Sequence, residues 1–309
     1  MSAKFEDHPY FKQASLMLES LPAVAQEKCF ALKGGTAINF FVRDMPRLSV
    51  DIDLTYLPIE NRATSLSHIT DALKRISERI QKALPDATIQ EGLIKNTKIV
   101  NKLYVNNSET QIIIEPNLTL RGAVFSTDFR RVSPQVSSHF GATLSIAVAS
   151  HPDLYGGKIC AALDRQHPRD LYDVKILLEN EGVTDEIRKG FVVYLAGHDE
   201  TMSQLLEPPR KDIHDIYTKQ FVGMALKPMT FEILLETREE LITTLKKSLT
   251  QDERRFLLSL KSGEPKWELM QLPGLETLPA IQWKLANIKK MKPEHHRKLV
   301  NRLKAILEL

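Results

Sequence analysis

The sequence has few cysteines and no long apolar segment, and both absences exclude classes of protein. Two cysteines among 309 residues, Cys29 and Cys160, are too few for a disulfide framework or a cysteine-rich zinc site. The low count favours a reducing compartment, so we expect a cytoplasmic protein. The longest stretch without a charged residue, 132–152, contains serine, histidine and proline, which makes it a poor candidate for a membrane span. We therefore expect no membrane partner.

Net charge is also small, but it is unevenly distributed. The formal net charge is +3, so the chain as a whole is no polycation. The segment 284–309, called the basic tail below, has only Glu294 and Glu308 as acidic residues. A basic tail on a near-neutral body favours a polyanionic partner, although a solvated helix face would have the same composition. Its basic residues are Lys284, Lys289, Lys290, Lys292, Arg297, Lys298, Arg302 and Lys304.

Hydrophobic periodicity predicts an α+β region followed by a helical one. Residues 49–56 alternate between apolar and polar side chains, which is typical of a strand, and 62–84 carry the apolar stripe of an amphipathic helix. Beyond residue 183 leucine-rich helical patterns dominate. We predict one domain over residues 1–200 and a helical domain with the basic tail over residues 201–309. Further elements are predicted as strands at 98–105 and 110–115, and as helices at 9–28, 36–42, 151–165 and 169–180.

Two short motifs in the first region suit nucleotide chemistry. The glycines of Gly34-Gly35-Thr36 let the backbone turn tightly and approach a phosphate, and the predicted helix after them presents free N–H groups to that anion. After fourteen intervening residues, Asp51 and Asp53 are two apart in the predicted strand, so both carboxylates leave one face. Two carboxylates beside a triphosphate suit one or two Mg²⁺ ions. Each motif alone is weak, and the interpretation rests on their order and spacing.

The two motifs resemble those of a known enzyme family. The segments 33–37 (Lys-Gly-Gly-Thr-Ala) and 47–54 (Arg-Leu-Ser-Val-Asp-Ile-Asp-Leu) are similar to those of the AbiEii/AbiGii toxin nucleotidyltransferases, in the DNA polymerase β-like superfamily. Lys158 and the segment 169–173 (Arg-Asp-Leu-Tyr-Asp) match the family's later signature. The resemblance covers roughly residues 20–200. It implies an α+β fold in which helices flank a small mixed sheet, followed by a helical C-terminal region.

The same resemblance implies an activity and a set of partners. Family members move an NMP from an NTP to an acceptor hydroxyl and release pyrophosphate. They act as toxins of type IV toxin–antitoxin systems in phage defence, and some modify the acceptor end of tRNA. The resemblance therefore implies NTP as substrate, RNA and above all tRNA as acceptor, and a separately encoded antitoxin. It also implies Mg²⁺ as cofactor, with two ions and Mn²⁺ as the alternative, and no DNA sequence readout.

The resemblance further assigns roles to positions of this chain. Asp51 and Asp53 would bind metal, and Glu115 would be a third carboxylate from a neighbouring strand, with Glu109 as a weaker alternative. The catalytic residues would be Asp51, Asp53, Lys158 and Asp173. The nucleotide-binding residues would be Lys33, Gly34, Gly35, Thr36, Ser49, Arg169 and Asp170.

Other interpretations stay open at several of these positions. Lys158 is beside an apolar helical stripe, so it either extends its charge to the surface or places that charge on the triphosphate. Asp170 either binds nucleotide or complements a helix dipole, and Glu115 either binds metal or meets water at a strand edge. The acceptor is either RNA, a protein or a small molecule. A nucleotide-binding or partner-binding module without turnover is a further alternative.

Overall fold

The computed structural model describes residues 9–309, and the chain forms two compact units. Unit 1 comprises Met1–Ser150 and Val222–Pro228, and unit 2 comprises His151–Phe221 and Met229–Leu309. The predicted division into residues 1–200 and 201–309 is a different one and stays a prediction. Across residues 9–309 no helix is long and apolar enough to cross a membrane.

A seven-stranded mixed sheet forms the centre of unit 1. The strands are β1 (Phe30–Lys33), β2 (Ile52–Tyr56), β3 (Thr88–Leu93), β4 (Val100–Asn106), β5 (Gln111–Asn117), β6 (Asp128–Arg131) and β7 (Ser145–Val148). Their order in the sheet is β3-β4-β5-β2-β1-β7-β6. The pairs β2–β5 and β1–β7 are parallel, and the other neighbouring pairs are antiparallel. The predicted α+β fold class, with a mixed sheet and many helices, is confirmed.

Alternation along the central strands places the apolar core of unit 1 on one face of the sheet. Ile52 and Leu54 of β2 and Ile112 and Ile114 of β5 are fully buried. Helix α1 (Pro9–Ala25) packs on β5, helix α3 (Arg62–Ala83) packs on β3 and β4, and the two helices pack on each other. Each fully buried Leu or Ile contributes about 1.5–3 kcal/mol relative to exposure. The buried Leu and Ile residues of α3 are Leu66, Ile69, Leu73, Ile76 and Ile80.

The predicted helix over residues 36–42 begins earlier and has an irregular second half. Helix α2 (Gly34–Ala37) starts directly after β1 and continues into a π-helix at Ile38–Val42. The remaining helix of unit 1, α4 (Pro134–Phe140), begins with proline and ends at Gly141, which has φ of +64°. The turn from β1 into α2 therefore places the glycine motif directly beside the strands that carry the candidate carboxylates.

Unit 2 is helical, and its first helices confirm the predicted pattern. The helices are α5 (His151–Asp164), α6 (Pro168–Glu179), α7 (Asp185–Gly197), α8 (Met202–Leu206), α9 (His214–Gln220), α10 (Phe231–Ser248), α11 (Gln251–Ser262), α12 (Pro279–Lys289) and α13 (Pro293–Ile306). Small residues allow α5 and α7 to approach closely. A Cβ atom at Gly156 would lie 2.6 Å from the carbonyl carbon of Gly190, so larger side chains would separate the two helices.

Candidate active site

In the candidate site of unit 1, the Asp53 carboxylate packs directly against Gly34. Gly34 has φ of +70°, and a Cβ atom at this position would lie 2.2 Å from Asp53 Oδ2. Glycine is therefore required both by the backbone conformation and by the carboxylate. Asp53 is half-buried, and among residues 9–309 its carboxylate has no hydrogen bond or ion pair. A half-buried carboxylate without a protein partner is a suitable ligand for a cation.

The sheet register aligns Asp53 with two of the other predicted site residues. Asp53 of β2 pairs with Lys33 of β1 on one side and with Glu115 of β5 on the other. The three side chains therefore leave the same face of the sheet in one row. The Glu115 carboxylate lies 3.1 Å from Lys102 Nζ and is 44% exposed. The register thus brings Glu115 beside Asp53, while its charge is paired with Lys102.

Thr36 and Ser49 fix the backbone at Asp51. The Thr36 hydroxyl donates to the carbonyl oxygen of Asp51 at 2.6 Å and lies 2.9 Å from Ser49 Oγ. Both side chains are buried. Their hydroxyls therefore hold the residue that precedes β2, and contact with a nucleotide through the Thr36 backbone N–H stays a prediction. Asp51 itself is half-buried and immediately precedes Ile52, the first residue of β2.

Arg47 is a candidate site residue for which the sequence motifs predict no role. Its side chain is only 2% exposed, and Nη1 donates to the carbonyl oxygen of Leu48 at 2.8 Å. A Cβ atom at Gly35 would lie 2.7 Å from Arg47 Nη2. The guanidinium group therefore lies against Gly35, the second glycine of the motif. An isolated arginine before a strand usually indicates a surface position, so spacing alone could not reveal this contact.

The carboxylates of the candidate site suit Mg²⁺, although they do not by themselves form a complete metal site. Among residues 9–309 no group of three or more His, Cys, Asp or Glu side chains is close enough to hold a metal ion. Asp51 and Asp53 nevertheless supply the oxygen donors that Mg²⁺ prefers, and this ion commonly takes one or two carboxylates together with substrate phosphates and water. The two aspartates therefore fit a metal that binds with the nucleotide, and the metal role of Glu115 stays a prediction.

Lys158 lies in a buried ionic cluster of unit 2. Its ammonium group is 2.7 Å from Asp170 Oδ1 and 2.9 Å from Asp173 Oδ2, and both aspartates are fully buried. Arg165 reaches the same cluster from the surface, with Nε 2.5 Å from Asp170 Oδ2. The alternative in which Lys158 extends its charge into water is therefore wrong. The cluster joins α5 to α6, and its catalytic role stays a prediction.

Two titratable groups near the start of α6 have altered pKa values. Burial alone would raise the pKa of Asp170, but the charges and hydrogen bonds of Lys158 and Arg165 outweigh burial and hold this pKa well below its usual range. Burial, together with the charge of Arg169, lowers the pKa of His167 to about 4. The neutral His167 ring accepts a hydrogen bond from the backbone N–H of Arg169 through Nδ1 at 3.1 Å. His167 is thus the N-cap of α6.

Comparison with protein families identifies the chain. The family model for the nucleotidyl transferase AbiEii toxin of type IV toxin–antitoxin systems matches residues 15–287. The chain belongs to the AbiEii toxin family. It is therefore a nucleotidyltransferase, and the resemblance of its motifs to this family is confirmed. Membership in the AbiEii family implies an NTP substrate.

A solved structure supports the fold of this AbiEii-family chain independently. MenT4, a nucleotidyltransferase toxin from Mycobacterium tuberculosis H37Rv, is similar with a TM-score of 0.55 and 15% sequence identity. The match covers 97% of this chain and 92% of MenT4. At this identity the similarity concerns the fold, including both its sheet and its helices. No curated protein matches the sequence.

Gly34→Ala tests whether the tight fit around Asp53 matters to this AbiEii-family enzyme. The added methyl group would displace the Asp53 carboxylate, and a displacement of about 1 Å can cost about 10²-fold in rate. We expect kcat/KM for nucleotidyl transfer to fall by about that factor. Gly141→Ala is the matched control, because Gly141 also has positive φ but a Cβ atom there would meet nothing within 4 Å. Equal losses of activity in both variants would show that backbone strain alone lowers kcat/KM.

Proposed function

We propose that this AbiEii-family enzyme transfers an NMP from an NTP to a hydroxyl group of RNA, with the 3′ end of tRNA as acceptor. The observation that carries the proposal is the half-buried Asp53 carboxylate, which has no partner among residues 9–309 and lies against Gly34. The glycine turn suits the triphosphate, and the free carboxylate suits its cation. Asp51, whose backbone is held by Thr36, is the second proposed ligand.

The proposed reaction exchanges one phosphoanhydride bond for one phosphodiester bond. The acceptor oxygen bonds to the α-phosphorus, the bond from the α-phosphorus to the bridging oxygen breaks, and pyrophosphate leaves. The hydroxyl proton passes to water. Mg²⁺, or Mn²⁺ in its place, would neutralise charge on the phosphates when bound, and a pair of aspartates can hold two ions.

The protein's own part in the proposed reaction is to bind and orient the nucleotide. The backbone N–H groups that follow the Gly34 turn would hold phosphate oxygens, and Lys33 would add a positive charge from the end of β1. Thr36 and Ser49 would keep Asp51 in place. Lys158 and Asp173 are further proposed catalytic residues, and Arg169 and Asp170 are proposed nucleotide-binding residues of unit 2.

The basic tail supports RNA as the acceptor. In the structure seven of its eight basic side chains are exposed, and the exception is Lys284. The apolar residues Leu303 and Leu307 of the same segment are buried, so the tail is folded with its charges outward. RNA presents a regular array of phosphates, and each phosphate that a protein neutralises releases a counterion. Recognition through shape and backbone needs such charge but no base-specific contacts.

We expect the quadruple change of Lys289, Lys290, Lys292 and Lys298 to Gln to raise the KM for RNA and to flatten its dependence on salt. All four lysines are exposed, and within the described residues only Lys298 is in an ion pair, with Glu294 at 3.1 Å. Because these groups would bind RNA phosphates and not the reacting bond, kcat at saturating RNA and the affinity for NTP should change little. Steady-state kinetics at several salt concentrations measure all three quantities.

A charge-matched variant of unit 1 controls for net charge. Lys74, Lys82, Lys95 and Lys98 are also exposed, so their change to Gln removes the same four charges elsewhere. This control should leave the KM for RNA near the wild-type value. If the tail variant keeps its RNA affinity and salt dependence, the tail is a solvated face or an antitoxin-binding surface, and a protein becomes the preferred acceptor.

The biological setting that we propose follows from family membership. A type IV toxin has an antitoxin partner, which we propose is encoded separately, and the toxin would act in the cytoplasm as part of a phage defence system. Unneutralised transfer to tRNA would stop translation and slow growth.

A further inference from the structure

Two lysines of unit 2 occupy positions where their helices would normally carry apolar side chains. Lys261 belongs to the buried stripe of α11, with Phe256, Leu257 and Leu260. Lys284 belongs to the buried stripe of α12, between Ile281 and Ile288. The two lysines are only 6% and 9% exposed. Lysine is seldom buried without a compensating partner, because removal of its charge from water is costly.

The two stripes face each other at the end of α11. A Cβ atom at Gly263, two residues after Lys261, would lie 3.6 Å from Ile288 Cγ2, and Ile288 is one turn after Lys284. Helix α13 completes this region, since His296 Nε2 lies 2.6 Å from the carbonyl oxygen of Lys261. The exposed lysines of the basic tail follow directly at 289, 290 and 292. The buried pair is therefore continuous with the most basic segment of the chain.

Within the described range 9–309, neither ammonium group is paired with a carboxylate. Lys284 Nζ donates to the backbone carbonyl oxygens of His198 and Glu200, which leaves one of its three N–H groups for another acceptor. Lys261 Nζ has no hydrogen bond or ion pair to any residue in the range 9–309. The exposed carboxylates of Asp199 and Glu200 act on Lys284 only through space. Four N–H groups of the two side chains thus lack an acceptor in the part of the chain that the structure describes.

The two buried lysines repel each other, and a bound anion would stabilise their charges. Burial, together with repulsion from Lys261, lowers the pKa of Lys284 to about 8. Burial also lowers the pKa of Lys261. A dianionic or monoanionic phosphate group would accept hydrogen bonds from both ammonium groups and would remove their mutual repulsion.

We propose that Lys261 and Lys284 form a phosphate-binding site in the helical region and that a backbone phosphate of the RNA acceptor occupies it. The choice of RNA as the source of the phosphate rests on the proposed function, whereas the phosphate chemistry itself does not. The exposed lysines of the basic tail lead an RNA strand to this position. The site is a binding site for the acceptor and has no part in the chemical step.

Thermal unfolding in the presence of inorganic phosphate tests the site without any turnover. We expect phosphate to raise the unfolding midpoint of the wild-type chain by a few degrees relative to sodium chloride at equal ionic strength. Lys261→Met keeps the apolar stem and removes the charge, so this variant should lose the phosphate response and be at least as stable as the wild type without phosphate. Lys261→Arg should retain the response, and Lys247→Met, at an exposed position of α10, should leave it unchanged.

RNA binding without NTP or metal tests the occupant. Lys261→Met should weaken binding of a short tRNA acceptor-stem RNA about 5- to 10-fold and lower the salt slope by about one charge. A phosphate response that is absent from the wild type, or unchanged in Lys261→Met, overturns the site. Loss of the phosphate response with unchanged RNA binding overturns RNA as the occupant and assigns the site to free phosphate groups. Nucleotidyl transfer to a protein would refute the proposed acceptor, yet a lost phosphate response in Lys261→Met would still establish the phosphate site.

Discussion

Asp53→Asn should abolish nucleotidyl transfer while the fold is retained. The amide keeps the size of the side chain but removes the charge that would hold a cation, and loss of an essential metal ligand should cost on the order of 10³-fold or more in rate. Because Asp53 has no partner among residues 9–309, its neutralisation breaks no observed interaction. We expect the unfolding midpoint to stay near the wild-type value. In bacteria that lack an antitoxin, the wild-type chain should slow growth and Asp53→Asn should relieve this effect.

Asp86→Asn serves as the control for the loss of one negative charge in unit 1. Asp86 is exposed and lies outside the candidate site, in the connection between α3 and β3. This variant should transfer nucleotides at the wild-type rate and should remain toxic. Full activity in Asp53→Asn would show that the metal assignment is wrong, whatever its effect on growth.

Lys158→Met should destabilise the protein strongly. The change removes the ammonium group from two buried carboxylates, those of Asp170 and Asp173, and breaking a buried pair from one side typically costs about 3–5 kcal/mol. The free energy of unfolding, from denaturant titration, measures this loss. It should be largest at neutral pH, since Asp170 contributes stability above its unfolded pKa of 3.8 and loses it only as the pH falls toward its lowered folded pKa.

Lys175→Met is the matched control for the loss of one lysine from the same region. Lys175 of α6 also faces two carboxylates, Glu179 at 3.5 Å and Glu240 at 3.6 Å, but both of these are at least half exposed. Such a pair contributes at most about 1 kcal/mol. If both variants lose the same stability, the buried cluster is not a structural element. If folded Lys158→Met binds NTP and turns over normally, the predicted catalytic role of Lys158 is wrong.

The parts of the fold that depend on local pattern were predictable from the sequence. The alternation at residues 49–56 predicted β2, and the stripe from Leu66 to Ile80 predicted α3, because both elements bury one regular face. The edge strands β3 and β6 were missed. Their sequences, Thr-Ile-Gln-Glu-Gly-Leu and Asp-Phe-Arg-Arg, bury little and carry no clear alternation. Strand pairing, rather than burial, stabilises them.

The candidate site also has parts that the sequence predicts and parts that it does not. Short-range spacing along the sequence predicts the positions of four site residues: Gly34, Thr36, Asp51 and Asp53. In the structure, the turn from β1 into α2 preserves this spacing. The burial of Arg47 depends instead on a distant segment, since this residue forms a bridge with Ala225, and Leu48 N–H donates to Met224. No pattern near residue 47 indicates that residues 222–228 return to unit 1. Likewise, the sequence showed a lysine in an apolar stripe at 158 but could not show that Asp170 and Asp173 enclose it.

The fate of a labelled nucleotide tests the proposed function most directly. The wild-type chain and Asp53→Asn are each incubated with one of the four α-labelled NTPs, Mg²⁺, and either total RNA or total protein from bacteria. We expect the wild-type chain to label RNA of tRNA size at the 3′ end, the label to be lost on removal of the terminal nucleotide, and Asp53→Asn to give no label. Label in the protein fraction alone, or equal label from both chains, would contradict the proposed function.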